Sequence, residues 1–376
     1  MKVDHLYTPC LLLDRKKLNQ NISRMRSHLH DLGVQLRPHV KTAKSVPVAL
    51  MCANGETGPI TVSTLKEAEY FADAGFTDII YAVSMVPSKL PRALAIINNG
   101  IDLKLLIDNA DIAKEISAYG EKENCIFKVL IEIDSDMHRA GLSPDSDEVI
   151  NVARALHDGK GTIMAGVLTH AGESYYGTSE DDFIKMAEQE RRAITTAAEA
   201  IRKDGIPCPI VSCGSTPTAT FGKDLTGITE VRAGVFVFQD AYQAGIGVCK
   251  KNDIALSVLT TVISHKKNQN RLITDAGGMA LSKDYSTRGT SFDCGYGLVA
   301  DSKGNIIDNL IVSGANQEHG LITTKNGDLD FEKYPIGTRL RILPNHACMT
   351  AAAYDVYNVM DNDDDISDQW QRCNGW

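Results

Sequence analysis

Ile126-Phe127-Lys128-Val129-Leu130-Ile131-Glu132-Ile133 runs straight into Asp134-Ser135-Asp136 and then His138-Arg139-Ala140-Gly141. Several consecutive large aliphatic residues that stop at a polar, glycine-containing loop are the signature of a strand covered on both faces, as in a parallel sheet. The same texture recurs near 34–40, 60–64, 78–83, 102–107, 162–170, 209–213 and 230–238. Amphipathic stretches lie between these runs. Thr64-Leu65-Lys66-Glu67 has the spacing of a capping box, and the helix it starts closes at Gly75. Further helices are expected over 111–120 and 180–204. Eight buried strands with helices between them predict a (β/α)8 barrel rather than an open doubly wound sheet.

After about residue 250 the texture changes. Leu256-Ser257-Val258-Leu259-Thr260-Thr261-Val262-Ile263, Arg271-Leu272-Ile273-Thr274 and Arg339-Leu340-Arg341-Ile342-Leu343 read as strands. Lys303-Gly304-Asn305, Asn326-Gly327 and Pro335-Ile336-Gly337 supply turns without helices. The second part is therefore expected to be a smaller, mainly β domain.

The chain has 376 residues, 43% hydrophobic and 23% charged, which is enough for a large domain plus a smaller one with an ordinary core. A net charge of -9 argues against nucleic acid or an anionic membrane as partner. There is no run of 18 apolar residues, and Met1-Lys2-Val3-Asp4-His5 has no apolar signal stretch. Nine cysteines, an odd number without a C-x-x-C pair, read as reduced thiols. The expectation is a cytoplasmic globular protein. The acidic run Asp361-Asn362-Asp363-Asp364-Asp365 reads as a solvated loop.

In a barrel enzyme the chemistry collects where strands end. Past the first expected barrel strand comes Arg37-Pro38-His39-Val40-Lys41-Thr42. A solitary lysine is usually a solvent residue. Here it follows an apolar strand with His39 and Arg37 on the same segment, and a lysine desolvated among cations becomes an amine nucleophile suited to a Schiff base. Past the seventh comes Cys213-Gly214-Ser215-Thr216-Pro217-Thr218, and past the eighth Arg232-Ala233-Gly234. Glycine there permits close backbone approach, while hydroxyls and amides can donate to phosphate at the position where barrels commonly hold one. His138-Arg139 and His170-Ala171-Gly172 end two further strands and are expected to line the same mouth. In Pro344-Asn345-His346-Ala347-Cys348, an extended segment would point His346 and Cys348 the same way, an imidazole and thiolate pair suited to Zn²⁺. Two ligands leave positions for water and substrate, as a Lewis-acid role requires.

These motifs, with Thr169-His170-Ala171-Gly172, Met349-Thr350, the opening Thr8-Pro9-Cys10-Leu11-Leu12-Leu13-Asp14 and the final Gly375-Trp376, resemble the eukaryotic-type D-serine dehydratase / D-threonine aldolase family. That family belongs to the alanine racemase-like, fold-type III pyridoxal-phosphate enzymes. The resemblance runs from end to end and the motifs keep their order. It implies an α/β architecture, with a pyridoxal-phosphate-binding (β/α)8 TIM barrel over 16–248. Residues 1–15 and 249–376 would form the β domain that carries the metal, and the assembly would be a homodimer. Carried over position by position, Lys41 is the Schiff-base lysine. Tyr175, Ser215, Thr216, Gly234 and Val235 contact the cofactor, mostly its phosphate. Arg139 and His170, with His39 beside the lysine, line the ring, and His346 and Cys348 hold zinc or another divalent ion such as Mn²⁺.

The implied activity is that of a lyase dehydrating a small β-hydroxy D-amino acid such as D-serine, D-threonine or 3-hydroxy-D-aspartate. Retro-aldol cleavage to glycine and an aldehyde, racemisation, and a non-catalytic carrier of the cofactor are the alternatives. The aldolase branch tends to carry an acidic residue where Cys348 stands, which favours elimination. Glu173 stands where some relatives carry His, a change in charge beside the substrate.

Overall fold

The computed structural model describes residues 1–376 except His138, Gly289, Ser291 and Asp363. The expectations placed on His138 and Asp363 thus lie outside the described residues.

The chain opens with β1 (Cys10–Asp14). It continues through β2 (Gln35–Leu36), β3 (Ile60–Val62), β4 (Asp78–Ser84), β5 (Asp102–Ile107), β6 (Phe127–Ile133), β7 (Thr162–Thr169), β8 (Ile210–Cys213) and β9 (Glu230–Val231). Then come β10 (Leu256–Lys266), β11 (Arg271–Thr274), β12 (Gly297–Ala300), β13 (Ile306–Ala315), β14 (Gly320–Thr324), β15 (Arg339–Pro344), β16 (Val356–Met360) and β17 (Ile366–Gln371). The chain divides into two compact units: Arg24–Gly234 with Gly375–Trp376, and Met1–Ser23 with Val235–Asn374. The sequence reading sets this division at 15/16 and 248/249. The residues that differ make their bonds in the second unit, as when Asn21 Nδ2 donates to the Asp253 carbonyl at 2.9 Å and Ala255 N–H to Phe238 C=O at 2.8 Å.

In the first unit, eight strands pair in the order β2-β9-β8-β7-β6-β5-β4-β3, every pairing parallel. A bridge between His39 and Thr61 brings the two ends together: Val40 N–H donates to Thr61 C=O at 2.9 Å, and Thr61 N–H to Pro38 C=O at 3.0 Å. The result is barrel-like, with helices between the strands. Parallel neighbours need crossover connections, and the sequence supplies well-capped ones. Thr64 caps helix Leu65–Asp73 by accepting from Glu67 N–H at 3.0 Å, while the Glu67 carboxylate accepts from Ser63 N–H at 3.0 Å. Gly75, at φ +93°, ends that helix in the left-handed region.

Two strands are shorter than their apolar runs suggest. β2 stops before Pro38, which has no N–H to give to a ladder. The run 230–238 keeps only Glu230–Val231 as strand, because Val235 C=O turns to accept from Phe238 and Gln239 N–H groups within a 3-10 turn.

Charged side chains fill the end of this unit where the strands begin. Arg37, 4% exposed, donates to Glu230 at 2.7 Å and Asp78 at 2.8 Å. Lys104 reaches Asp78 at 2.7 Å and Asp102 at 2.9 Å.

The second unit is mainly β. Its nine strands run β11-β14-β13-β12-β15-β10-β1-β16-β17, and an extra β10–β11 pairing closes the first six into a ring. β1 runs antiparallel to β10 and parallel to β16, with Leu11, Leu12 and Leu13 at most 1% exposed. Among the described residues no helix is long and apolar enough to cross a membrane.

Candidate active site

The ends of the parallel strands gather most of the sequence-selected residues of the barrel-like unit. His39 and His170 are half-buried in the company of cations. Burial first, then the charges of Lys41, Arg232 and His170, drive the His39 pKa well below its ordinary value. His170 falls to about 3, through burial, Lys41, Arg139 and Arg232, opposed by its hydrogen bond to the Gly214 carbonyl at 3.0 Å. Both imidazoles are therefore neutral at physiological pH. Tyr175 packs its ring 6.1 Å from that of His170.

Lys41 itself is exposed, as is Arg139, so the expected desolvation of Lys41 does not hold; cationic surroundings do. Arg37 is not among them. Arg37 precedes the turn that begins at Val40, and its side chain lies among the acids at the other end of the strands. The cation that sequence reasoning missed is Arg232, 3% exposed, whose Nε donates to Ser212 Oγ at 2.9 Å and whose Nη2 donates to the Thr169 carbonyl. Burial lowers its pKa, and Glu190 and Glu230 oppose that.

Two glycines let neighbouring segments pack closely at this end. A Cβ on Gly214, at φ +129°, would lie 2.3 Å from the Arg232 carbonyl, and one on Gly234 would lie 3.0 Å from both His39 O and Thr42 Oγ1. Between them Ser215 caps the short helix Thr216–Phe221. Its N–H donates to Thr218 Oγ1 at 3.0 Å and its Oγ accepts from Thr218 N–H at 3.2 Å. Ser215 and Thr216 are both buried, at 2% and 0% exposed. Val235, also buried, opens the 3-10 turn Val235–Val237 of the other unit.

In the β unit, β15 ends at Pro344 and His346 is the N-cap residue of a short helix, Ala347–Ala351. The extended segment expected there is a strand-to-helix turn, with Cys348 in its first turn. The two side chains still meet: the His346 imidazole hydrogen-bonds the Cys348 thiol and, through Nδ1, Asp284 Oδ2 at 2.7 Å. Burial opposes a proton on this ring, yet the bonds to Asp284 and Cys348 raise its pKa to about 11. Burial likewise works against the Asp284 anion, and His346 with Ser286 outweighs it, holding the carboxyl below its usual range.

The turn is gripped on both sides. Asn345, 1% exposed, donates to Thr287 Oγ1 at 2.9 Å and to Gly295 C=O at 2.6 Å, while Ala347 N–H donates to Asp240 Oδ2 at 3.0 Å. Among the described residues no three His, Cys, Asp or Glu side chains form a metal-binding group, so this pair with its backing carboxylate is the arrangement available. Asp284 lies 62 positions from His346 and carried no signal in the sequence.

Comparison with known proteins bears on both units. The family described as "Alanine racemase, N-terminal domain" matches residues 13–241, and a "Putative serine dehydratase domain" matches 255–360. The chain is 47% identical to a D-threo-3-hydroxyaspartate dehydratase of Delftia sp. (strain HT23), over 99% of this chain and 98% of that protein. It is 30% identical to a D-serine dehydratase of Dictyostelium discoideum, over 100% and 98%, and 28% identical to a D-threonine aldolase of Arthrobacter sp, over 97% and 91%.

Two solved variants of a D-threo-3-hydroxyaspartate dehydratase superpose with a TM-score of 0.97 at 46% identity. They cover 100% of this chain and 100% and 97% of theirs. One replaces a cysteine by alanine and is in a metal-free form, and the other replaces a histidine by alanine. The two substituted positions stand two apart in that enzyme, the spacing of His346 and Cys348 here.

Proposed function

Because this chain belongs to the alanine racemase-like family with a serine dehydratase-type second domain, we propose that it is a lyase dependent on pyridoxal phosphate and a divalent metal, dehydrating a β-hydroxy D-amino acid. The observation that carries the reading is the cationic end of the parallel strands, where Lys41, Arg139 and Arg232 surround two neutral imidazoles beside glycines that leave no room for a Cβ. Such a place fits an anionic, planar, phosphate-bearing group. His39 Nδ1, buried and without a partner among the described residues, adds a polar atom still to be satisfied.

Lys41 would hold the cofactor through its Nζ and, once released, take the α-proton of the substrate on that atom. Tyr175, Thr216, Gly234 and Val235 would contact the phosphate side, with Arg139 and His170 along the ring. Ser215 would join them only by turning its hydroxyl from its present bonds. Pyridoxal phosphate supplies an electron sink for the charge left at Cα. His346 and Cys348 would hold the metal, Zn²⁺ by ligand preference, with Asp284 fixing the imidazole as second-layer carboxylates do. The metal would supply Lewis acidity to a departing β-hydroxyl. Loss of water followed by hydrolysis of the enamine gives a 2-oxo acid and ammonia.

Among D-serine, D-threonine and 3-hydroxy-D-aspartate, we place 3-hydroxy-D-aspartate first, on the 47% identity to a dehydratase of that substrate. Retro-aldol cleavage is the second reading, favoured by end-to-end likeness to a D-threonine aldolase. One incubation separates them: 3-hydroxy-D-aspartate yields oxaloacetate and ammonia by dehydration, glycine and glyoxylate by cleavage. Lys41→Ala should abolish the visible absorbance of lysine-bound cofactor together with turnover. A variant that keeps that absorbance would remove Lys41 from its role.

A further inference from the structure

Helix Glu180–Lys203 buries Phe183, Ala187, Glu190, Ile194, Ala197, Ala198 and Ile201. One of these is ionisable, and it faces the barrel-like unit. Glu190 is 2% exposed. Its Oε1 accepts from the Ala171 N–H and the Gly214 N–H, each at 2.9 Å, and its Oε2 accepts from the Thr218 hydroxyl at 2.7 Å. Ala171 lies in the loop after β7 and Gly214 begins the loop after β8, so one carboxylate spans two consecutive loops.

The bonds continue in a ring. Ser174 Oγ donates to the Ala171 carbonyl at 2.7 Å and lies 2.7 Å from Ser215 Oγ. Thr218 gives its proton to Glu190 and Ser174 gives its proton to Ala171, so the Ser215 proton goes to Ser174 Oγ or to Thr218 Oγ1, 3.0 Å away. Glu190, accepting at both oxygens, fixes the direction of the Thr218 bond and holds both backbone N–H groups. The same two loops carry His170, Tyr175, Ser215 and Thr216. An ordinary core position would hold an aliphatic residue here, since a buried carboxylate is destabilising unless its bonds are complete.

We propose that Glu190 is a positioning residue that sets the spacing of the β7 and β8 loops, so that their imidazole, hydroxyls and amides face one bound anionic cofactor. The inference rests on the reading of this end as a pyridoxal-phosphate site. Glu190 touches no reacting atom; it acts through Ala171, Gly214 and Thr218. Glutamine in its place keeps an oxygen for the two N–H groups and can turn its amide towards Thr218, whereas alanine leaves two N–H groups without an acceptor.

The test is a titration of pyridoxal phosphate into resolved enzyme, followed by visible absorbance, beside thermal unfolding of the same cofactor-free samples. Glu190→Ala should weaken cofactor binding at least about tenfold, and Glu190→Gln should stay within about threefold of wild type. Wild-type binding matched by Glu190→Ala, with only thermal stability lost, overturns this inference alone and makes Glu190 a core residue. A wild type that takes up no pyridoxal phosphate overturns the functional reading, and the inference with it. Should Glu190→Ala not fold, Glu190→Asp takes its place: one methylene shorter, it keeps the charge and loses the reach. Binding weaker in Asp than in Gln supports positioning, and the reverse order overturns it.

Discussion

A half-buried histidine that refuses a proton makes stability depend on pH. His170 titrates at about 3 in the folded chain against an ordinary 6.5, and His39 is shifted the same way. Between these limits the unfolded state binds protons that the folded state does not, so stability rises with pH there. It is complete above the unfolded value and is lost progressively as pH falls from about 6.5 towards the folded pKa. Thermal unfolding of the cofactor-free protein from about pH 8 to about pH 5 should show a falling midpoint, with a shallower slope in His170→Gln. A midpoint flat across that range would mean the imidazoles are charged or solvated.

At His346 the logic is opposite, because Asp284 and Cys348 hold a proton on the ring at neutral pH. A metal must displace it, so uptake should release protons and weaken as pH drops. Cys348→Ala should lose the metal and the dehydratase activity while keeping the absorbance of lysine-bound cofactor, as read by elemental analysis and spectroscopy of one sample. Full activity in a metal-stripped protein would dismiss that role.

At the scale of elements, what could be read in the chain and what could not follow from the range of the forces involved. All eight parallel strands announced themselves, because a strand buried on both faces must be largely apolar, as Phe127–Ile133 is at five of its seven positions. Helix Leu65–Asp73 was equally legible, since its cap lies within four residues. The misreadings came where local bonding competes: Pro38 cutting β2, the 3-10 turn after Gly234, and the helix that begins at Ala347.

The glycines and histidines at strand ends were readable as types. Arg232, Glu190 and Asp284 were not, because their partners lie 63, 24 and 62 positions away. Arg37 illustrates the cost of such pairings. Removing it leaves Glu230, 8% exposed, without its ion-pair partner, while half-exposed Asp78 keeps Lys104 at 2.7 Å, and breaking a buried pair typically costs about 3–5 kcal/mol. Arg37→Met should lower the urea midpoint accordingly, and Arg37→Met with Glu230→Gln should recover much of it. Equal losses in the single and double variants would show that the pair is not coupled.

The whole molecule is sewn from its ends. β1 enters the nine-stranded sheet between β10 and β16, pairing Leu12 with both Ser257 and Asn358, so the mainly β unit cannot be completed until residues more than 300 apart meet. Leu11, Leu12 and Leu13 are almost wholly buried, and at roughly 1.5–3 kcal/mol per fully buried leucine they contribute about 5–9 kcal/mol. That is comparable with the entire stability of a typical domain, about 5–15 kcal/mol. The Asn358 side chain also donates to the Leu11 carbonyl at 3.0 Å, a bond that would lose its acceptor without the strand. Residues 235–376 expressed alone should therefore fail to unfold cooperatively. The same segment fused through a flexible linker to residues 1–23 should regain a single sharp transition by circular dichroism. A cooperative transition in the isolated segment would show that β10 and β16 pair without their middle strand, and that the opening of the chain is an accessory to the sheet and not its centre.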